Sequence, residues 1–354
     1  MTEKTASHAT TASHVSTATT APTASAVRTA PATPTAAATK TASGTSVAAA
    51  TTTDRSGTKQ PSPRLRAEDL TLSYDQRTVA THLGVDIPDN SFTVIIGPNA
   101  CGKSTLLKAL ARMLKPRAGQ VQLDGAPIGS YRSREVARRL GLLPQSSTAP
   151  GGITVGDLVA RGRYPHQGML KQWSTEDEAA VVGAMEQTGV LDLADRSVDD
   201  LSGGQRQRVW LSMVLAQQTS ILLLDEPTTF LDIAHQVEVL DLCADLHARK
   251  GHTVVAVLHD LNQACRYATH LIVMRPGGTV AAEGDPATVM TAELVEDVFG
   301  LPCRIIDDPE TGSPLMVPAA PRRYVPRDSA AEHGAPEDPT GGTSITDTVM
   351  AETS

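Results

Sequence analysis

The run Gly97-Pro98-Asn99-Ala100-Cys101-Gly102-Lys103-Ser104-Thr105 has the residue types and spacing of a loop that cradles phosphate groups. Its glycines let successive backbone N–H groups converge on phosphate oxygens, and a following helix adds its positive end. Lys103 would then reach the β- and γ-phosphates, and the Ser104 hydroxyl would bind Mg²⁺. Farther along, the apolar run Ile221–Leu224 ends in Asp225-Glu226. Ligands of open α/β sheets sit beyond the carboxyl ends of the strands. Asp225 is therefore expected to hold Mg²⁺, and Glu226 to polarise an attacking water. Alone, that run could be a strand reaching solvent; the glycine loop upstream decides for phosphate chemistry.

A third segment, Leu201-Ser202-Gly203-Gly204-Gln205, points the same way. Ser202 can cap a helix whose apolar positions include Val209, Met213 and Ala216, and two glycines leave its first amides open. That is a second anion-binding helix start. The first triphosphate site already has one, so the second needs another occupant.

These residues need a scaffold, and the chain supplies its signals. Leu83, Val85 and Ile87 alternate as in a half-buried strand, and Val121 and Leu123 do so before an Asp124-Gly125 turn. Phe92–Ile96, Ile221–Leu224 and Val254–Leu258 are continuous apolar runs, as in parallel strands buried on both faces. Leu106, Leu107, Leu110 and Leu114 place a helix after the glycine loop. From Thr154 to Asp200 the pattern turns helical, with capping-box spacing at Thr175 and Glu178 and with Val181 and Met185 one turn apart. Met290, Leu294 and Val298 mark a closing helix. The expected fold is an α/β nucleotide-binding core with an antiparallel β annex before it and a helical insertion at about 150–200. Residues 1–63 are Ala, Thr, Ser and Pro with few large apolar side chains, and 319–354 are similar with more acid. Both are expected to be disordered, which leaves 64–318 as the folded unit.

Composition narrows the function further. A formal net charge of −8 and 3% aromatic residues give no footprint for nucleic acid. The basic cluster Arg132–Arg139 reads as a solvated helix face. Cys101, Cys243, Cys265 and Cys303 form no C-x-x-C pair, which argues against a zinc cluster or a disulfide framework and suits a reducing cytoplasm. No window of 18 apolar residues suggests a membrane span, and the N-terminus lacks the apolar core of a secretory signal.

The order Tyr74, Gly97–Thr105, Gln145, Leu201–Gln205, Asp225-Glu226, Asp232, His259 resembles the ATP-binding subunit of ABC transporters over about Leu65 to Pro318. The resemblance implies a P-loop (RecA-like) ATPase with ATP and Mg²⁺ as cofactors. It implies a head-to-tail dimer in which Ser202, Gly203, Gly204 and Gln205 meet the ATP on the second copy's Gly97–Thr105 loop. Tyr74 would stack on adenine, Gln145 would touch Mg²⁺ or water, and Asp232 would contact the other subunit. His259 would contact the γ-phosphate and join Glu226 and Lys103 as a catalytic group. A non-catalytic cassette would be expected to lack Glu226 or His259.

A finer resemblance, to ferric-siderophore importers, rests on four segments: Asn99–Lys103, Arg161–Gly168, Thr229–Gln236 and Leu301–Ile306. Haem and vitamin B12 importers share much of them, and an exporter's cassette has the same motor chemistry. DNA-repair relatives carry a long coiled-coil or zinc insertion, and translation relatives carry two cassettes; neither pattern is present. The resemblance places the chain on the cytoplasmic face of the cell membrane. There it would drive a separate permease, served by an extracytoplasmic siderophore-binding protein. Within the loop, a thiol at a helix start beside Lys103 is expected to have a lowered pKa and to react with alkylators unless Mg-ATP covers it; burial would leave it inert.

Overall fold

The computed structural model describes residues 63–168, 173–229 and 231–320. The terminal segments expected to be disordered lie outside the described residues, except Pro63 and residues 319–320 at their inner ends. In chain order the strands are β1 (Leu65–Tyr74), β2 (Arg77–Ile87), β3 (Phe92–Ile96), β4 (Ala118–Leu123), β5 (Ala126–Pro127), β6 (Leu140–Leu143), β7 (Ile221–Asp225), β8 (Thr253–Val257), β9 (His270–Arg275), β10 (Thr279–Gly284), β11 (Cys303–Asp307) and β12 (Pro314–Pro318). The helices are α1 (Lys103–Leu110), α2 (Ser133–Ala137), α3 (Val155–Ala160), α4 (Thr175–Gln187), α5 (Gly203–Ala216), α6 (Ile233–Lys250), α7 (Leu261–Tyr267), α8 (Pro286–Val289) and α9 (Ala292–Phe299).

Continuous apolar runs form the centre of a six-stranded sheet in the order β10-β9-β3-β8-β7-β6. Pairing is parallel from β9 to β6, and only β10 is antiparallel to its neighbour. Every residue of β3, β7 and β8 is buried. Side chains alternate between the two faces, so each strand feeds two apolar clusters. Val94, Leu222, Leu224, Val254 and Ala256 pack with α5 and α6 on one side. Ile95, Ile221, Leu223, Val255 and Val257 pack with α1 and the annex on the other. The annex is an antiparallel sheet in the order β2-β1-β4-β5, and its inward residues Leu83, Val85, Ile87, Val121 and Leu123 are those that alternate in the sequence.

Some expected boundaries move. Helix α1 ends at Leu110; Leu106, Leu107 and Leu110 are buried on it, while Leu114 packs from the following turn. The capping box of α4 is Ser174 with Asp177, one residue before the expected Thr175 and Glu178. Ser-Thr-Glu-Asp-Glu offers both registers, and the Arg163 guanidinium, whose Nε donates to Asp177 Oδ1 at 2.9 Å, selects the first. The closing helix starts at the cap Thr291 and buries Val295 and Val298; Met290 is buried ahead of it, at the end of α8. A hairpin of β11 and β12 follows, where no strand was expected. Asn262 on α7 ties it down by donating to Met316 O at 3.2 Å and accepting from Met316 N at 2.7 Å.

The insertion is helical, as expected: α3 and α4 pack on α5 with short 3₁₀ turns between them. Among the described residues no helix is long and apolar enough to cross a membrane.

Candidate functional site

The parallel strands deliver the chemistry at their carboxyl ends. Gly97 follows β3, Gln145 follows β6 by two residues, Asp225 ends β7, and His259 follows β8 by two residues. Gln145, His259 and Glu226, the residue after Asp225, line a cavity of about 410 Å³ whose other walls are Tyr74, Arg77 and Val79 from the annex side and Asn99, Lys103 and Ser104 from the loop. Tyr74 is 43% exposed at its edge, outside the core.

The loop is built on tight backbone. Gly97 and Gly102 have φ of 155° and 106°, and Ala100 has φ of 61°. A Cβ on Gly97 would lie 2.5 Å from Met274 O and 2.8 Å from Cys101 Sγ, so only glycine allows this close approach. Lys103 is 5% exposed, with Nζ donating to Gly97 O at 2.8 Å and Pro98 O at 3.0 Å. The ammonium is therefore held at the loop itself, beside the start of α1.

Ser104 Oγ donates to Asp225 Oδ1 at 2.7 Å. The other carboxylate oxygen, Oδ2, is buried without a hydrogen-bond partner among the described residues. Burial pushes the Asp225 carboxyl above its ordinary value, and the neighbouring Glu226 adds to this while Ser104 opposes it. An orphaned carboxylate oxygen next to a hydroxyl is a donor set suited to a hard divalent cation. Among the described residues there is no cluster of His, Cys, Asp and Glu that would hold a metal without such help. The residues present thus fit Mg²⁺ carried in by phosphate.

Glu226 is 9% exposed and has φ of 54°, a left-handed conformation that costs a non-glycine residue of order 1 kcal/mol or more. Such strain persists where the surroundings impose it. His259 Nε2 lies 2.6 Å from Oε1; Gln145 Nε2 donates to Oε2 at 2.8 Å and Thr229 Oγ1 at 3.1 Å. Burial by itself would raise this carboxyl, but these contacts outweigh it and hold the group below the ordinary glutamate range. Glu226 is therefore held as a carboxylate. Thr229, Arg77 and Val79 were not picked out from the sequence. Thr229 had a local signal, three residues after Glu226, whereas the other two reach the site only through the fold of the annex.

Of the two expectations for Cys101, burial supports the inert thiol. The thiol is 1% exposed beneath Gly97, and burial pushes its pKa up; Lys103 opposes this without reversing it. The helix start and the ammonium lower a thiol's pKa only when water can still solvate the thiolate. Alkylation of Cys101 by a water-soluble maleimide is therefore expected to be slow in the folded chain and fast in denaturant, with ATPase activity surviving the reagent. Mass spectrometry of the modified peptide checks this.

The remaining predicted residues lie elsewhere. None of Ser202, Gly203, Gly204, Gln205 or Asp232 lines the cavity. Ser202 caps α5 by accepting from Gln205 N at 3.2 Å, and Gln205 Oε1 accepts from Ser202 N at 3.1 Å. Asp232 caps α6 by accepting from His235 N at 3.0 Å. Ser202 and Asp232 are both exposed, and Gly204 faces Leu231 so closely that a Cβ would sit 3.4 Å from its Cδ2. The helix start and the Asp232 turn thus form one exposed surface. Gln207 Nε2 ties it to the catalytic strand's loop by donating to Pro227 O at 3.0 Å.

Known proteins share this arrangement. A family model described as ABC transporter matches residues 80–229. The ferric enterobactin transport ATP-binding protein FepC of Escherichia coli is 61% identical over 255 residues, 72% of this chain and 94% of that protein. The achromobactin transport ATP-binding protein CbrD of Dickeya dadantii is 52% identical over 254 residues, again 72% and 94% of the two chains. A dimeric bacterial ABC transporter cassette of solved structure superposes with a TM-score of 0.57 at 25% identity, covering 62% of this chain and 98% of that one.

Proposed function

The chain belongs to the ABC transporter family as its ATP-binding, ATP-hydrolysing subunit, and we propose that it powers import of ferric siderophores through a separate membrane permease. The observation that carries the cargo is the 61% identity to a ferric enterobactin transport subunit across 94% of that protein's length.

ATP is held by the Gly97–Thr105 loop, with Tyr74 as the platform for adenine. Mg²⁺ would be held by Ser104 and Asp225, with Gln145 as a further contact, and would supply charge stabilisation at the phosphates. Glu226 accepts a proton from the attacking water, His259 faces the terminal phosphate, and Lys103 neutralises the charge that develops there. The site is half complete in one chain. The exposed surface of Ser202, Gly204 and Asp232 provides the missing wall to a second copy arranged head to tail. ATP then draws two cassettes together, and hydrolysis parts them.

The helical insertion from Thr154 to Asp200 holds much of the surface for the permease, and a cleft of about 650 Å³ between α2 and α5, bounded by Met113, Val136, Trp210 and Met213, lies next to the Gln145 segment that would sense it. The chain thus sits on the cytoplasmic face of the membrane, held by the permease, while an extracytoplasmic siderophore-binding protein selects the cargo.

The test is uptake of ⁵⁵Fe-labelled ferric siderophore by cells lacking the gene. Uptake is expected to disappear, to return with the intact gene, and to stay absent with the Glu226→Gln copy. Unchanged uptake, or a loss confined to haem or vitamin B12, would overturn the cargo assignment.

A further inference from the structure

The segment Arg161–His166 has no part in the cavity around the Gly97–Thr105 loop, yet Gly162, Arg163 and His166 are each held closely against α5 or its carboxyl end. The 3₁₀ turn Arg161–Arg163 crosses the carboxyl end of α5. Gly162 approaches so closely that a Cβ would lie 2.2 Å from Met213 O. Arg163 is 4% exposed, and its guanidinium makes a directed set of contacts: Nε to Asp177 Oδ1 at 2.9 Å, Nη1 to Ala216 O at 2.8 Å, and Nη1 to Gln218 Oε1 at 2.9 Å. His166 Nε2 donates to Gln217 O at 2.8 Å.

The core holds the same helix end from the other side. Gln217 Nε2 donates to Ala137 O and, at 3.2 Å, to Leu140 O, where β6 begins. The carboxyl end of α5 is thus one point where hydrogen bonds fasten the helical insertion to the ATP-binding core, in addition to the Gln207–Pro227 tie near its amino end. The amino end of α5 is Ser202, about 21 Å away at 1.5 Å per residue. A small change of angle at the fastening is therefore magnified at Ser202.

Stability alone gives little reason for this construction. An ion pair this buried can be replaced by apolar groups of similar volume at little or no cost in stability. A guanidinium adds fixed direction, because its donors lie in a rigid plane. We propose that Arg163 is a positioning residue for the ATPase. By gripping the Ala216 carbonyl it sets the angle of α5, and so the place where Ser202 meets the nucleotide of the second copy. This rests on the head-to-tail dimer described above.

The test uses the full chain carrying Glu226→Gln, with and without Arg163→Met and Asp177→Asn together. Asn at 177 keeps an oxygen for the Ser174 cap, and no buried charge is left unpaired. Affinity of the monomer for a fluorescent ATP analogue is expected to be unchanged, because the Gly97–Thr105 loop is untouched. The ATP-driven dimer is expected to weaken about tenfold, equivalent to about 1.4 kcal/mol. Arg163→Lys, which keeps the charge but loses the fork, is expected to fall between the two. A merely structural role would lower the melting temperature without changing the dimer constant. An unchanged dimer constant in the folded double variant overturns the proposal; should that variant not fold, an unchanged constant in Arg163→Lys does the same. Failure of Glu226→Gln alone to dimerise would instead overturn the dimer reading, and this proposal with it.

Discussion

Glu226→Gln is expected to lower ATP turnover by about 10²–10⁴-fold, the range a positioned general base contributes, while leaving ATP affinity intact. The substitution is nearly isosteric, so the amide oxygen can still accept from Gln145 and Thr229. What disappears is the negative charge that those contacts and His259 hold below the ordinary glutamate range. The strained φ of 54° is imposed by the surroundings and remains. Binding is spared because Lys103, Ser104 and the loop backbone are untouched. Steady-state phosphate release measures the first effect and equilibrium binding of a fluorescent ATP analogue the second. A turnover within a few-fold of the parent would remove Glu226 from the role of base.

Lys103→Ala is expected to act on the opposite step. Net hydrogen bonds to charged groups contribute about 1.5–3 kcal/mol, so losing this ammonium should weaken ATP binding by roughly 10–150-fold. The Nζ contacts to Gly97 O and Pro98 O also hold the loop in shape, and their loss adds to the effect. The sheet beneath is sustained by residues such as Ile95, Val255 and Leu223, which are fully buried and far more numerous, so the fold should persist. Isothermal titration against ATP, with far-UV circular dichroism as the control for folding, checks this. Affinity equal to that of the parent would mean that the backbone amides alone hold the phosphates.

How much of this was legible in the sequence depended on how local the cause was. Phe92–Ile96, Ile221–Leu224 and Val254–Leu258 were readable because burial on both faces needs uninterrupted apolar residues. Ser202 was readable because a cap and its Gln205 partner lie three residues apart. The capping box at Ser174 slipped by one residue because Asp177 answers to Arg163, fourteen residues away in sequence. The β11–β12 hairpin was missed because it is tied to the rest of the fold through Asn262, 54 residues from Met316 in sequence, which leaves no local pattern. Cys101 was left undecided for the same reason. Its neighbours in sequence promote a thiolate, and its burial under Gly97 opposes one. The fastening of α5 by Arg163 joins residues more than fifty positions apart and leaves no local pattern.

The proposed head-to-tail dimer requires that one chain carry only half of an ATP site. Ser202 and Asp232 are exposed and lie apart from the cavity that Lys103, Ser104, Glu226 and His259 line. The direct measurement is the molar mass of the Glu226→Gln chain by light scattering, with and without Mg-ATP. A monomer is expected without nucleotide, a dimer with it, and a monomer again when Ser202→Arg is added. A chain that stays monomeric at saturating Mg-ATP while hydrolysis in the parent proceeds at a rate independent of protein concentration would contradict it.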